Sequence, residues 1–200
     1  MNLASLPLIL ALAVAGGPGG DEHLLAGAGA FRDGRFDVAL VEFRVAEKLG
    51  APEAREYAAA SLVKLGRPEE AFEAFASSPP GEDGLLDWYR ALACYDARLY
   101  VCARRLLSDL GRAGPKAAAE AAKLHAEIAR VLAPEPAAAS IDWYLARCEK
   151  HGAERRPALA TAYCREAAAL GSRRPDRHGV ARASAELAHL DAPDASGARR

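Results

Sequence analysis

The sequence predicts an all-α fold in which antiparallel helical hairpins stack as a short α-solenoid. Apolar residues make up 51% of the chain and aromatic residues only 6%, and this alanine-rich composition favours close-packed helices over sheets. Glycine and proline recur where helices would end and begin. The chain also aligns with itself at an offset of 32 residues. A length of 200 residues suffices for about four or five such hairpins.

Residues 1–20 contain no charged side chain and are predicted to precede the folded domain as a signal peptide and a glycine-rich cleavage region. The apolar stretch 6–15 has the length of a signal-peptide core and is too short to cross a bilayer comfortably. Small residues at 13–15 suit a signal peptidase. No Lys or Arg precedes the apolar stretch, which departs from the usual signal-peptide pattern. An uncleaved N-terminal anchor stays open as an alternative. We expect a signal peptide over residues 1–15 and an exported protein, periplasmic or extracellular.

The offset of 32 residues brings turn residues and packing residues into register. Three sets coincide: the turn residues Gly34, Gly66 and Arg98, the small residues Ala39, Ala71 and Ala103, and the large residues Phe43, Phe75 and Leu107. A small residue lets the two helices of a hairpin approach closely, and a large residue one turn later fills the space beside the crossing. We therefore expect the three alanines to be buried where helices cross.

Helix-start and helix-end signals divide the chain further. Gly34 and Gly66 can take the left-handed conformation that closes a helix, and Pro68 suits the first turn of the next one. Residues 21–190 are expected to form the repeat domain, and residues 191–200 a flexible tail. Helices are predicted at about residues 22–32, 35–49, 52–65, 68–77, 85–96, 99–110, 115–132, 136–149, 154–170 and 176–190.

The first unit resembles a tetratricopeptide repeat in its small first-helix residue and in the spacing of its second helix. The matching residues are Gly27, Gly34, Phe36, Ala39, Phe43, Ala46 and Pro52. The next two units keep part of the pattern, with Ala59, Gly66, Ala71 and Phe75, and then Trp88, Leu92, Tyr95, Tyr100, Ala103 and Leu107. Later in the chain, residues 136–146 repeat the second-helix spacing, and residues 153–190 are interpreted as a further helical pair that caps the array.

The resemblance implies binding rather than catalysis. Tetratricopeptide arrays hold a peptide or partner protein in the concave groove lined by their first helices. Each candidate groove residue has an alternative role as a contact between neighbouring helices, and both roles stay open. Carried onto this chain, the candidates are Phe31, Arg32, Glu56, Ala60, Val63, Lys64, Tyr89, Ala93 and Asp96.

Four cysteines in an exported chain predict two disulfides, for which three pairings are possible. Cys94 and Cys102 flank one predicted turn, and Cys148 and Cys164 flank another. Residues equidistant from the turn of an antiparallel hairpin lie opposite one another, as a disulfide requires. The pairs Cys94–Cys102 and Cys148–Cys164 are therefore predicted, with buried free thiols as the alternative. The spacing of cysteine and histidine does not suggest a metal site.

The sequence carries no motif of a known catalytic or cofactor site. The histidines are scattered, and the HExxH, GxSxG, GxxxxGK and GxGxxG patterns are absent. A formal net charge of -1 gives no general attraction to nucleic acid. No later stretch is apolar enough to insert into a membrane after signal cleavage.

We therefore expect a non-catalytic exported scaffold that binds a protein or peptide partner in the cell envelope. No cofactor and no small-molecule substrate are expected. The alternative function is that of a structural subunit permanently built into a larger envelope complex, because an uncapped solenoid must bury its terminal faces.

Overall fold

A computed structural model describes residues 19–78, 84–110, 115–175 and 177–191. Every predicted helix is present, with its ends within four residues of the expected positions, and no residue in the described ranges lies in a strand. The helices are α1 (Gly20–Arg32), α2 (Phe36–Lys48), α3 (Ala54–Lys64), α4 (Pro68–Ala76), α5 (Gly84–Asp96), α6 (Tyr100–Asp109), α7 (Pro115–Leu132), α8 (Ala138–Ala153), α9 (Pro157–Gly171) and α10 (His178–Asp191). The predicted signal peptide lies outside the described residues, as does the tail beyond Asp191.

Helices that follow one another in sequence pack as hairpins through most of the chain. α1 packs on α2, α3 on α4 and α5 on α6, and the hairpins stack through contacts of α2 with α3, α4 with α5, and α6 with α7. α3 also contacts α5, which in turn contacts α7. Because short turns join the members of each pair, they run antiparallel. The predicted all-α stack of helical hairpins is confirmed.

The C-terminal helices depart from a simple linear stack. α8 packs on α9 and α9 on α10, while α7 does not pack along α8 in the described part of the chain. α9 additionally contacts α4 and α6. The segment 136–146, which we interpreted as a second helix, is therefore the start of a first helix whose partner follows it. The α8–α9 hairpin therefore packs through α9 against the middle of the array.

Four hairpins share one turn conformation. The second residue after each first helix has a left-handed backbone: φ is 77° at Gly34, 69° at Gly66, 62° at Arg98 and 57° at Arg155. The next backbone N–H donates to the carbonyl oxygen five residues earlier, at 2.8–2.9 Å in all four turns. This is the Schellman pattern that closes a helix. The α8–α9 pair is thus a fourth hairpin of the same kind, which the 32-residue offset missed because α7 intervenes.

The packing residues of the hairpins also correspond. The alanine in the fourth position of each second helix is fully buried, and these alanines are Ala39, Ala71, Ala103 and Ala160. In the first hairpin, a Cβ added at Gly27 would lie 2.7 Å from the Phe43 ring, so only glycine permits this approach. Counted from the turn, Cys148 occupies the place of Gly27 and Cys164 that of Phe43. The fourth hairpin therefore has a disulfide between its two helices at the positions where the first hairpin packs a glycine against an aromatic ring.

Candidate functional site

The predicted groove residues lie on the first helices α1, α3 and α5, and many of them pack between helices. The buried members are Phe31, Ala60, Val63, Tyr89 and Ala93. The Phe31 ring meets the rings of Phe36 and Tyr89 edge-on, with centroids 5.1 and 5.9 Å apart. Glu56 is half-buried and accepts a hydrogen bond from Arg90 at 3.2 Å. These side chains form an aromatic and aliphatic floor between the hairpins.

The remaining groove candidates, Arg32, Lys64 and Asp96, are the final residues of α1, α3 and α5. They follow one another at the 32-residue offset, so they lie along one edge of the first-helix layer. Arg32 and Asp96 are exposed. The Lys64 ammonium lies 5.7 Å from the centroid of the Phe36 ring and 5.6 Å from that of Tyr89. Partial loss of hydration lowers the pKa of the Lys64 ammonium and raises the pKa of the Asp96 carboxyl, although Asp96 keeps an exposed surface. We call Arg32, Lys64 and Asp96 the polar edge.

A second polar site lies where α8 and α9 meet the start of α4. Glu69 Oε1 accepts a hydrogen bond from Arg147 at 2.5 Å and lies 3.1 Å from the Tyr163 hydroxyl. Arg156 donates to both oxygens of Glu73, at 3.0 and 2.9 Å, and lies 3.5 Å from Glu69. We call Glu69, Glu73, Arg147, Arg156 and Tyr163 the Glu69 cluster. These charge-assisted bonds fix the α8–α9 hairpin to α4.

His151 lies beneath the Glu69 cluster and is completely buried. Its ring stacks on Tyr163 at a centroid distance of 5.3 Å and an angle of 13°. Its Nδ1 lies 3.1 Å from Glu154 Oε2, and its Nε2 lies 3.5 Å from Glu69 Oε1. The imidazole therefore sits between two carboxylates that belong to α4 and to the α8–α9 turn.

A cleft of 490 Å³ opens beside the Glu69 cluster. The guanidinium groups of Arg98 and Arg147 lie over the Trp143 ring, 5.7 and 4.5 Å from its centroid. The Tyr144 hydroxyl donates to the carbonyl oxygen of Arg98 at 2.7 Å, which holds the α5–α6 turn against α8. Asp96 also lines the cleft, so the polar edge of the first helices continues into it.

Glu166 on α9 caps the beginning of α6. Its carboxylate oxygens accept the backbone N–H groups of Val101 at 3.0 Å and Cys102 at 2.8 Å. α6 has no side-chain cap of its own at Leu99, so this distant carboxylate satisfies donors that would otherwise lack partners. Burial raises the pKa of Glu166 to about 7, against the opposing effect of the two N–H donors.

A second space, of 290 Å³, lies on the second-helix layer between α4, α5, α6 and α9. We call it the apolar cavity. Its lining is mainly hydrocarbon and includes Phe72, Phe75, Val101, Leu106 and Ala162. Cys94 and Cys102 also line it, and Arg105 and Arg165 stand at its rim as exposed residues.

Both predicted disulfides are present. The Cα atoms of Cys94 and Cys102 are 6.0 Å apart, and those of Cys148 and Cys164 are 5.3 Å apart, within the usual range for disulfides. Cys102 is partly exposed, whereas the other three cysteines are buried. Each disulfide joins the two helices of one hairpin, as the position of the turns predicts.

The sequence analysis missed the Glu69 cluster, Glu166 and the apolar cavity. One signal was available: Arg156 and Pro157 repeat Arg67 and Pro68, which would have placed a fourth hairpin turn. The contact of Glu166 with α6 spans more than 60 residues and leaves no local pattern.

The described residues contain neither a metal-binding cluster nor a membrane-spanning helix. No group of three or more His, Cys, Asp or Glu side chains there is arranged to hold a metal ion. None of the helices in that part of the chain combines the length and apolar character that a membrane crossing needs. The chain matches no protein-family model, and comparisons with curated proteins and with solved structures find no match.

Proposed function

We propose that the protein is an exported, non-catalytic scaffold of tetratricopeptide-repeat type that binds a protein or peptide partner in the cell envelope. The polar edge carries this proposal, because Arg32, Lys64 and Asp96 occupy the last position of the first helix in three successive hairpins. Neighbouring helices lie about 8–10 Å apart, and an extended chain rises about 3.3 Å per residue. An extended partner would therefore meet one hairpin about every third residue.

The charges of the polar edge define the partner's chemistry. Arg32 and Lys64 favour acidic groups opposite α1 and α3, and Asp96 favours a basic group opposite α5. Of the three charges, the Lys64 ammonium lies against aromatic rings, 5.7 Å from the centroid of Phe36 and 5.6 Å from that of Tyr89. The proposed partner is therefore an extended segment with acidic residues at the positions that face α1 and α3 and a basic residue at the position that faces α5.

The disulfides support the proposed compartment. Disulfides persist in oxidising environments such as the periplasm and the extracellular space, and all four cysteines of this chain are paired. This agrees with the predicted signal peptide at residues 1–15.

Site-specific photo-crosslinking in the envelope fraction tests this proposal. A photo-reactive residue at position 32 or 96 should give the same crosslinked partner, because both positions lie on the polar edge. The matched control is position 44, since Arg44 is also exposed but belongs to the second helix α2. Arg32→Glu should weaken capture of that partner, and Arg44→Glu should not. Equal crosslinking from positions 32 and 44 would contradict a groove.

One observation favours the alternative function, a structural subunit of a larger envelope complex. Val38, Val41 and Leu49 on one side of the first hairpin are 37%, 59% and 48% exposed, and apolar residues exposed together indicate a protein contact. If this function holds, Val41→Asp should release the chain from a large complex during native size fractionation, while Arg32→Glu should leave the complex intact. The reverse result would favour groove binding.

A further inference from the structure

We propose that the apolar cavity binds the alkyl chain of an anionic amphiphile, a carboxylate of about eight to ten carbons, with its head group held by Arg105 and Arg165. This site lies on the second-helix layer, so it is separate from the polar edge and does not rest on the proposed function.

The lining of the cavity determines the chemistry of the chain. Phe72 and Phe75 from α4, Val101 and Leu106 from α6, and Ala162 from α9 present hydrocarbon to it. A space lined in this way favours apolar groups over water. Arg90 also lines the cavity, but its guanidinium group donates to the carbonyl oxygens of Phe75 and Ser78 and to Glu56. Along the hydrocarbon part of the lining, the N–H and C=O groups of a peptide backbone would lack partners, whereas an alkyl chain carries no such groups.

The volume of the cavity determines the length of the chain. The space of 290 Å³ lies at the small end of the range for ligand pockets, about 300–1,000 Å³. It holds about ten groups of water size, since a water molecule takes about 30 Å³ in the liquid. A methylene group is of comparable size, so a chain of about eight to ten carbons fills the cavity.

The rim of the cavity determines the head group. Arg105 on α6 and Arg165 on α9 are exposed, and neither forms an ion pair with an acidic side chain in the described ranges. Guanidinium groups bind carboxylates through paired hydrogen bonds. Glu166 also lines the cavity, but its oxygens accept the N–H groups of Val101 and Cys102. Its raised pKa reduces its negative charge near neutral pH, so it opposes an incoming carboxylate only in part.

The disulfides provide an internal readout of occupancy. Cys94 and Cys102 line the apolar cavity, and Cys102 is partly exposed there. Cys148 and Cys164 are fully buried in the last hairpin and are not among the lining residues. A bound chain should therefore slow the reduction of the first disulfide by a soluble thiol and leave the second unchanged.

Calorimetric titration of the full oxidised chain tests the proposal with hexanoate, octanoate, decanoate and dodecanoate below their micelle concentrations. Affinity should rise about fourfold per added methylene up to about ten carbons, then level off, since each buried methylene contributes about 0.8 kcal/mol. Decanol should bind more weakly than decanoate, and decyltrimethylammonium more weakly still. Decanoate should also slow reduction of Cys94–Cys102 alone, as followed by peptide mapping.

Two sets of variants locate the site. The double variant Arg105→Gln with Arg165→Gln should weaken decanoate binding about tenfold or more and leave decanol binding unchanged. The matched control, Arg44→Gln with Lys48→Gln, removes two exposed cations from α2 and should change neither. Ala162→Phe should abolish binding by filling the cavity. If that variant fails to fold, the arginine pair, which lies on the surface, still decides the test.

Several results would overturn the proposal. They are the absence of binding by any of the carboxylates, an affinity independent of chain length, equal binding of the cationic amphiphile, and an unchanged affinity in the arginine double variant. Displacement of decanoate by a short apolar peptide that itself binds more tightly would assign the cavity to a protein side chain instead.

Discussion

The first two hairpins and the α5–α6 and α8–α9 hairpins close their turns with the same backbone but with different residues. Gly34 and Gly66 take the left-handed conformation without a steric penalty, whereas Arg98 and Arg155 take it at a cost of about 1–2 kcal/mol each. The two arginine hairpins are also the two that carry disulfides. The glycine turns form from local backbone preference, whereas the turn at Arg98 is also supported by contacts from another hairpin.

The contacts that support the turn at Arg98 and the start of α6 come from the α8–α9 hairpin. The Tyr144 hydroxyl donates to the Arg98 carbonyl, the Tyr163 hydroxyl lies 3.1 Å from the Ala97 carbonyl, and Glu166 caps the start of α6. Within the described ranges, the turns at Gly34 and Gly66 have no counterpart of these contacts. A strained turn can therefore be kept when a neighbouring hairpin binds its carbonyl groups. This makes the helices from α5 to α9 depend on one another more than α1 to α4 do.

Reduction of both disulfides should have the largest effect and should separate these two regions. In the chain-entropy model, loops of this size contribute about 2.5–3 kcal/mol each, so together they supply about 5 kcal/mol. We expect hydrogen exchange in α5, α6, α8 and α9 to accelerate strongly after reduction, while α1 to α4 keep much of their protection. Mass-spectrometric hydrogen exchange with and without reductant measures this.

Single removal of each disulfide provides the control. Cys94→Ala with Cys102→Ala opens the shorter loop and should cost slightly less than Cys148→Ala with Cys164→Ala. If reduction instead accelerated exchange uniformly along the chain, the distinction between the two regions would be wrong.

The buried Glu166 carboxyl, which caps the start of α6, should make the stability of the protein depend on pH. Glu166 is protonated in both states below its ordinary pKa of 4.5, and above it the unfolded chain loses the proton first. Because the folded protein keeps that proton until about pH 7, this group's contribution is full below pH 4.5 and is lost as the pH rises to about 7. The change amounts to up to about 3 kcal/mol and can be measured by urea unfolding across this window.

Glu166→Gln removes the titrating group and is the matched variant. It should be less stable, since the amide replaces one of the two acceptors for the N–H groups of Val101 and Cys102. Its free energy of unfolding should nevertheless fall less between pH 4.5 and 7 than that of the unaltered protein. Equal pH profiles for both would mean that the Glu166 carboxyl titrates normally.

A larger side chain at a helix crossing should lower the free energy of unfolding by a similar amount in a glycine hairpin and in an arginine hairpin. Ala71→Leu and Ala160→Leu each place a large side chain at a fully buried position and should destabilise by about 1–3 kcal/mol. Ala126→Leu on the exposed side of α7 is the control and should change stability by less than about 0.5 kcal/mol. Thermal unfolding measures all three. A harmless Ala160→Leu would show that α9 does not share the register of the second helices.

The sequence was informative wherever a structural feature depends on residues close to one another in the chain. Glycine and proline predicted the helix ends. The 32-residue offset predicted the burial of Ala39, Ala71 and Ala103, and the positions of the turns predicted the two disulfides. These features are local because a helical hairpin is a local structure.

Longer-range features were not accessible to this reasoning. α9 contacts α4 and α6 through Glu69, Tyr163 and Glu166, and each of those contacts joins residues more than 60 positions apart. The interpretation of 136–146 as a second helix failed for a related reason. Residue spacing alone does not distinguish a first helix from a second, and the turn at Arg155 carries no glycine to mark it. The apolar cavity is formed by four helices together and has no local pattern.

The smallest expected effect concerns the turn residues themselves and tests the comparison directly. At Gly66 a Cβ would meet no atom within 4 Å, so Gly66→Ala changes only the backbone preference at φ 69°. The left-handed cost is partly balanced by the lower entropy of the unfolded chain, which leaves a loss of about 1 kcal/mol. Arg155→Gly removes the left-handed cost at an exposed residue but raises the entropy of the unfolded chain. The net effect should be an increase of about 0.5 kcal/mol in the free energy of unfolding. Urea unfolding of both variants at one pH gives the two shifts. If Arg155→Gly proved destabilising, the arginine side chain would be supporting its turn through contacts of its own, and the cost assigned to the arginine hairpins would have to be reduced.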